Sequence, residues 1–288
     1  MSTNLKKQIK NLPRISNIIK EYNLSAKKKL SQNFILDLNI TDKIIRACGD
    51  MQHIDVIEIG PGPGALTRSI IANGAKRIIA IEKDKRFIEA LKSLKDISKD
   101  KLIIKNEDAL NIEFKKIFIK YNISNAYIIS NLPYSISTKL LLKWLPIPHE
   151  ISKLTLMFQK EVAERIVAKP GTKKYGRLSV LTGLMTNAKI IMHIPAKSFK
   201  PKPKIDSSVV EFKPKNKKEF LFKIEILEEI TKILFNKRRK QVKSSLKTFG
   251  DPILLCEKIN IDPSCRAEQI TLESFEKLAI EITNYRQL

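Results

Sequence analysis

Between residues 55 and 212 the chain alternates short apolar runs with longer mixed segments. The runs cover residues 56–59, 77–81, 102–105, 126–130, 154–159, 189–194 and 207–212. Most are unbroken rather than alternating, which marks strands covered on both faces, as in a parallel sheet. Between the earlier runs lie helix-compatible stretches at 65–72 and 85–94. This rhythm predicts a doubly wound α/β domain with seven strands.

The pattern changes after Phe212. Residues 213–218 read as a polar hinge, and 220–235 then carry apolar positions at helical spacing. Further helix-like segments follow. The last spans 272–285, with Thr271 as N-cap and Glu273 and Ser274 in the first turn. No strand signal occurs there, so the expected organisation is an α/β domain over 1–212 and a small all-α domain over 213–288. At the other end the core pattern is expected to begin by about residue 24. The early Lys residues and Arg14 have the look of an organelle-targeting segment, but no signal-peptide apolar region accompanies them.

Charge narrows the possible partners. Lys and Arg total 54 against 30 Asp and Glu, a formal net charge of +24 over 288 residues. Part of the Lys excess fits AT-rich codon drift, but drift alone would not leave the acidic residues so far behind. A polyanionic partner is expected, and nucleic acid is favoured over membrane because no apolar run reaches spanning length. The three cysteines (Cys48, Cys256, Cys265) form no Cys-x-x-Cys pair, and His53, His149 and His193 have no ligand-like spacing. No metal site is expected, and a reducing cytoplasmic setting fits.

Candidate chemistry begins at Val56-Ile57-Glu58-Ile59-Gly60-Pro61-Gly62-Pro63-Gly64, an apolar run entering a Gly-rich turn before a helix. Such a turn lets backbone approach a ligand and turns helix N-terminal amides outward. Alone it does not separate a dinucleotide from other nucleotide-like cofactors. Glu82, 22 residues past Gly60, stands at the end of the next strand, where a carboxylate can accept from two ribose hydroxyls. Asp108 ends the third run and could accept from an adenine amino group, with Glu107 as its solvated neighbour.

The fourth run delivers Asn131-Leu132-Pro133-Tyr134. The exocyclic N6 of adenine is a poor nucleophile because its lone pair is delocalised into the ring. Two acceptors aimed at its hydrogens favour the tetrahedral, amine-like form. The Asn131 side-chain oxygen and the Leu132 carbonyl can supply them. Pro133 fixes φ and brings no competing N–H. Tyr134 offers an aromatic face for an extruded base, worth roughly 1–3 kcal/mol. No general base is required to start, since the methylated nitrogen is acidic enough to lose its proton to water. By itself the tetrapeptide is equally readable as a turn after a strand.

On these motifs, in this order, the chain resembles the ribosomal RNA adenine dimethyltransferases of the bacterial small-subunit (KsgA) type, over about residues 27–278. The resemblance also rests on Lys29-Leu30-Ser31-Gln32-Asn33-Phe34-Ile35, on Phe199-Lys200-Pro201-Lys202-Pro203-Lys204-Ile205-Asp206-Ser207 and on Phe235-Asn236-Lys237-Arg238-Arg239-Lys240. It implies a Rossmann-like seven-stranded methyltransferase sheet with a C-terminal helical domain that binds RNA. It places S-adenosyl-L-methionine against Asn33, Ile35, Gly60, Glu82, Asp108 and Asn131, and the target adenine between Tyr134 and Phe199. It implies dimethylation of two adjacent adenines in the 3′-terminal hairpin loop of 16S rRNA in the small (30S) subunit, by a chain monomeric off the ribosome. Ser31 stands where the family usually has Gly, and Ile35 where it has Leu.

RNA contacts are expected from residues 237–247, a run with six basic residues in eleven read as a phosphate-contacting helix, and from Lys197, Lys200, Lys202 and Lys204 around Phe199. Residues 169–174 read as a mobile basic loop. Two other readings compete: a non-enzymatic assembly or nucleic-acid-binding factor, and a methylase of 23S rRNA. The intact cofactor motifs argue against the first. Asn131-Leu132 and residues 235–239 argue against the second.

Overall fold

The computed structural model describes residues 3–24, 32–215 and 220–286. Lys29, Leu30 and Ser31 of the N-terminal motif, and residues 216–218 of the hinge, lie outside the described residues. Nine strands are present among the described residues: β1 Phe34–Ile35, β2 Asp55–Ile59, β3 Arg77–Glu82, β4 Leu102–Asn106, β5 Ala126–Ser130, β6 Ile151–Gln159, β7 Thr186–Ile194, β8 Phe199–Lys200 and β9 Ser207–Pro214. Seven of them form one sheet in the order β4-β3-β2-β5-β6-β9-β7. The five from β4 to β6 are parallel, and β9 runs antiparallel to β6. The seven apolar runs of the sequence therefore map one to one onto its strands.

Burial explains why those runs are unbroken. All five residues of the central β2 are buried, whereas β4 at the edge is only half covered. Two β2 positions are charged. Asp55 is neutralised by Arg77, whose Nε lies 2.8 Å from its carboxylate. Glu58 has no such partner, as described below. The chain leaves β2 toward β3 on one side and returns at β5 on the other. A switch of this kind opens a crevice at the carboxyl ends of the strands, where ligands of open α/β sheets bind.

Chain contacts divide the protein into two units, Met1–Ala163 with Lys189–Pro214, and Glu164–Ala188 with Lys215–Leu288. The second unit therefore takes in a segment that the sequence pattern assigned to the first. Its helices Arg177–Met185, Ile224–Asn236 and Leu272–Tyr285 bury Leu181, Leu227, Ile230, Phe275 and Leu278. Rings of Tyr175, Phe235 and Phe275 pack in series at 6.0 and 5.8 Å. The apolar stretch at 178–185 does not by itself say which unit the segment joins, because its membership depends on contacts distant in sequence.

Local boundaries follow caps and packing. Thr271 caps the last helix as expected, accepting from the Ser274 amide at 3.1 Å. The stretch 85–94 is two helices, Lys85–Ala90 and Lys92–Ser98, broken at Leu91, whose side chain is buried against Gly64. The helix expected from Phe220 starts at Ile224, after a lead-in where the Phe220 and Phe222 rings pair at 5.3 Å. The core begins earlier than residue 24. Helices Thr3–Lys10 and Ile15–Glu21 bury Ile9, Ile15 and Ile18, and Arg68 donates to the Pro13 carbonyl at 2.7 Å. None of the described helices is long and apolar enough to cross a membrane.

The basic run 237–247 is not one helix. Residues 237–240 form a turn, and only Val242–Leu246 are helical. Arg238 is half-buried and engaged within the unit: its Nη2 lies 2.9 Å from the Glu268 carboxylate and 3.1 Å from the carbonyls of Lys173 and Tyr175. The loop 169–174 is likewise tied down. Gly171 donates to the Glu268 carbonyl at 2.7 Å, and Lys174 pairs with Glu164 at 2.5 Å.

Candidate active site

The crevice at the ends of β2, β3 and β5 is a cavity built within the first unit. Its walls include Asn33, Phe34 and Ile35 from β1 and the residue before it, Glu58 from β2, Gly60–Pro63 from the turn, Glu82 from β3, and Asn131–Tyr134 after β5. Seven of the nine residues predicted from sequence meet here: Asn33, Ile35, Gly60, Glu82, Asn131, Leu132 and Tyr134.

The turn has the form that its glycines allow. Gly60, Gly62 and Gly64 all take positive φ, at 68°, 54° and 87°. A Cβ added at Gly60 would meet nothing within 4 Å, so it would project into space left open beside the backbone. At Gly64 it would approach Leu91 to 2.7 Å, so there the requirement is packing. The helix Ala65–Ala72 then starts with its first amides free of side-chain caps.

Glu82 is held from both ends. One oxygen accepts from the Gly62 amide at 3.2 Å and the other from the Asp84 amide at 2.8 Å. Each oxygen keeps capacity for a further donor. Burial raises its carboxyl above the ordinary range, and the two amide bonds only partly oppose that.

Glu58 was not singled out from the sequence, yet it lines the same cavity at 1% exposure. Neither of its carboxylate oxygens has a hydrogen-bond partner among the described residues. Burial pushes its carboxyl up to about 8, helped by the nearby Glu82 charge. The Thr67 hydroxyl favours the charged form from close by without meeting hydrogen-bond geometry. The signal was present in the sequence: one acidic residue inside the apolar run 56–59, two positions before the glycine turn.

After β5 the backbone turns at Pro133, with φ −56° and ψ 129°, into the helix Tyr134–Lys143. Asn131 donates its Nδ2 to the Asn33 carbonyl at 3.0 Å, which leaves its oxygen as the end able to accept. The Tyr134 hydroxyl is 2.5 Å from the Ser207 hydroxyl at the start of β9, and burial raises its pKa. The ring is thereby fixed at its far end.

Two predicted residues stand elsewhere. The Asp108 carboxylate pairs with Lys83 Nζ at 2.7 Å and accepts from the Leu110 amide at 3.0 Å; the Lys83 bond holds its pKa below the usual carboxylate range. It does not line the cavity. Phe199 is 4% exposed, pairs with Ile35 across the antiparallel β1–β8 ribbon, and walls a separate depression. Tyr134 lines the cavity directly, and Phe199 adjoins it through its strand partner Ile35.

Sheet order, glycine turn and the cavity at the carboxyl ends of the strands together define a Rossmann-like methyltransferase. Within that class the chain belongs to the ribosomal RNA adenine dimethylase family, whose model matches residues 23–284. It is 43% identical over 272 residues to the ribosomal RNA small subunit methyltransferase A of Xanthobacter autotrophicus, covering 93% of each chain. The protein of the same name from Mesorhizobium japonicum is 42% identical over 275 residues, 94% of this chain and 98% of that one. Among solved structures, a dimethyladenosine transferase from Plasmodium falciparum matches with a TM-score of 0.75 at 26% identity, over 88% of this chain and 98% of that one. The 23S rRNA methyltransferase ErmE shares the fold, with a TM-score of 0.64 at 21% identity over 87% and 99% of the two chains.

Proposed function

We propose that this protein dimethylates the N6 amines of two adjacent adenines in the 3′-terminal hairpin loop of 16S rRNA, using S-adenosylmethionine, within the small ribosomal subunit or its precursor. The observation that carries the reading is the amide of Asn131, anchored by Asn33 so that its oxygen is the free acceptor in a cavity shared with Gly60 and Glu82. Family membership and relatives named for the small subunit favour this target over 23S rRNA.

The cavity suits that cofactor on two counts. The space beside Gly60 admits a ligand against bare backbone, and the Glu58 carboxyl, without a partner of its own among the described residues, is a polar group left for that ligand. Glu82, with an acceptor site left on each oxygen, would take the ribose hydroxyls, and Asn33 and Ile35 would close the site from β1. Asp108 would receive the adenine amino group beside Lys83. S-adenosylmethionine held by these residues would supply a sulfonium methyl for transfer to the substrate N6, leaving S-adenosylhomocysteine. Asn131 and the Leu132 carbonyl would accept from the N6 hydrogens and so favour the amine-like nitrogen that attacks. Tyr134 would stack on the base. Phe199, on the strand paired with β1, would supply the second face for the base. The proton released from the methylated nitrogen passes to water.

The test is transfer of labelled methyl groups to purified 30S particles, with 50S particles as control. Asn131→Ala is expected to lower the single-turnover rate by roughly 10²–10³, the usual cost of one preorganised polar group at the reacting centre. Wild-type rates in that variant, or labelling of 50S instead of 30S, would sink the proposal.

A further inference from the structure

Lys83 and Asp108 stand at neighbouring strand ends within the first unit. Asp108 follows β4 and caps the short turn Ala109–Asn111, its Oδ1 accepting from the Leu110 amide at 3.0 Å. Its Oδ2 accepts from Lys83 Nζ at 2.7 Å. Lys83 directly follows Glu82, the last residue of β3. Its backbone is fixed. The Asn106 Nδ2 donates to the carbonyls of Glu82 and Lys83 at 2.9 and 3.0 Å, and the Glu107 amide donates to the Glu82 carbonyl at 3.1 Å. The stem above that anchor faces solvent: the Lys83 side chain is 75% exposed, against 26% for Asp108. The nearby Lys105 has its own acid in Glu107, at 2.9 Å. Lys83 is therefore the cation that Asp108 holds directly, and Lys139 acts on Asp108 only through its field.

Glu82 and Asp108 are read as acceptors for one cofactor, yet they differ in what already occupies them. Glu82 lines the cavity and holds two backbone amides, one on each oxygen. Asp108 has one oxygen in a turn amide and the other on an ammonium. A charged donor binds a carboxylate about twice as strongly as a neutral one. An adenine amino group is a neutral donor, so at Oδ2 it competes with Lys83 at a disadvantage. An exposed ion pair is nonetheless weak and screened by salt, so the lysine can be displaced at a small cost. That cost falls on a ligand carrying the amino group and not on one that lacks it.

We infer that Lys83 sets cofactor affinity by competing with the adenine amino group for Oδ2 of Asp108, which holds that affinity below what the carboxylate alone would give. The inference rests on the reading that Asp108 receives the adenine amino group of S-adenosylmethionine. It makes Lys83 a brake on binding that acts through Asp108.

The experiment measures S-adenosylmethionine binding by calorimetry to the full-length protein and to its Lys83→Met and Lys83→Arg variants, at low and at high salt. Lys83→Met keeps the apolar stem and removes the ammonium. It is expected to bind the cofactor about threefold more tightly than wild type at low salt, the scale of an exposed pair, and equally at about 1 M KCl, where the pair is screened. Lys83→Arg keeps a cation for Asp108 and is expected to bind as wild type does. A second ligand is the cofactor analogue with hydrogen in place of the 6-amino group, which has the same charge. Wild type and Lys83→Met are expected to bind it alike, and that binding doubles as the check on folding. Unchanged or weaker cofactor binding in Lys83→Met overturns the inference. Equal tightening for both ligands also overturns it, because the effect then comes from the field of the lysine and not from Asp108. Asp108→Ala separates the inference from the reading beneath it, being expected to weaken binding of the cofactor and not of the analogue. If it does so while Lys83→Met changes nothing, only the role of Lys83 falls. If Asp108→Ala leaves both ligands unaffected, the placement of the adenine at Asp108 falls as well.

Discussion

Glu58 concentrates the electrostatics of the site in one residue. Its carboxyl titrates near 8 in the folded protein against an ordinary 4.5. Between those values the unfolded chain has lost the proton and the folded chain has kept it. The contribution to stability is therefore full below about pH 4.5, falls as pH rises, and levels off above about pH 8. The shift sets an upper bound of roughly 5 kcal/mol on that loss. Glu58→Gln removes the titration, so its stability relative to wild type is expected to rise between pH 5 and pH 8. Urea unfolding at the two pH values checks this, and an equal difference at both would contradict it. Tyr134 is a second residue-scale case. Tyr134→Phe keeps the ring and loses only the Ser207 bond, an expected cost of about 1 kcal/mol with methyl transfer largely retained. Tyr134→Ala removes the stacking face and is expected to abolish it, as read by the same labelled-methyl assay.

Among the elements, the basic run 237–247 shows how placement decides the role of a charge. Lys237, Arg239, Lys240, Lys243 and Lys247 are exposed, whereas Arg238 is half-buried and ties residues 173 and 175 to Glu268. An ammonium cannot reproduce the fork of a guanidinium. Arg238→Lys is expected to destabilise the helical unit by about 2 kcal/mol and to raise amide exchange in residues 169–176. Hydrogen exchange followed by mass spectrometry reads both effects, and unchanged protection there would show that the contacts contribute nothing.

For the whole molecule, the charge of +24 sets the salt dependence of RNA binding. Lys197, Lys200, Lys202 and the five exposed cations of 237–247 are unpaired among the described residues, while Arg238 and Lys174 are consumed internally. If all eight engaged phosphates, the slope of log affinity against log salt would be about −6 on single-stranded RNA. Filter binding between 50 and 300 mM KCl is expected to give a negative slope no steeper than that. A slope near zero would remove the phosphate contacts from the account.

All seven sheet strands, the glycine turn and the final helix with its Thr271 cap were legible in the sequence, because each is dictated by residues adjacent in the chain. So were Gly60, Glu82 and Asn131, whose positions at successive strand ends follow from the strand order of a doubly wound sheet. Tertiary structure alone decided which polar groups remain free. Asp108 looked available and is paired with Lys83; Arg238 looked like a phosphate ligand and is an internal tie. Phe199 looked exposed to a base and is buried on the strand paired with Ile35. Glu58 looked like a strand residue and is a buried carboxylate without a partner. Periodicity reports which face of an element is buried, but a charge is satisfied by groups remote in sequence, and only the folded chain brings those groups within reach.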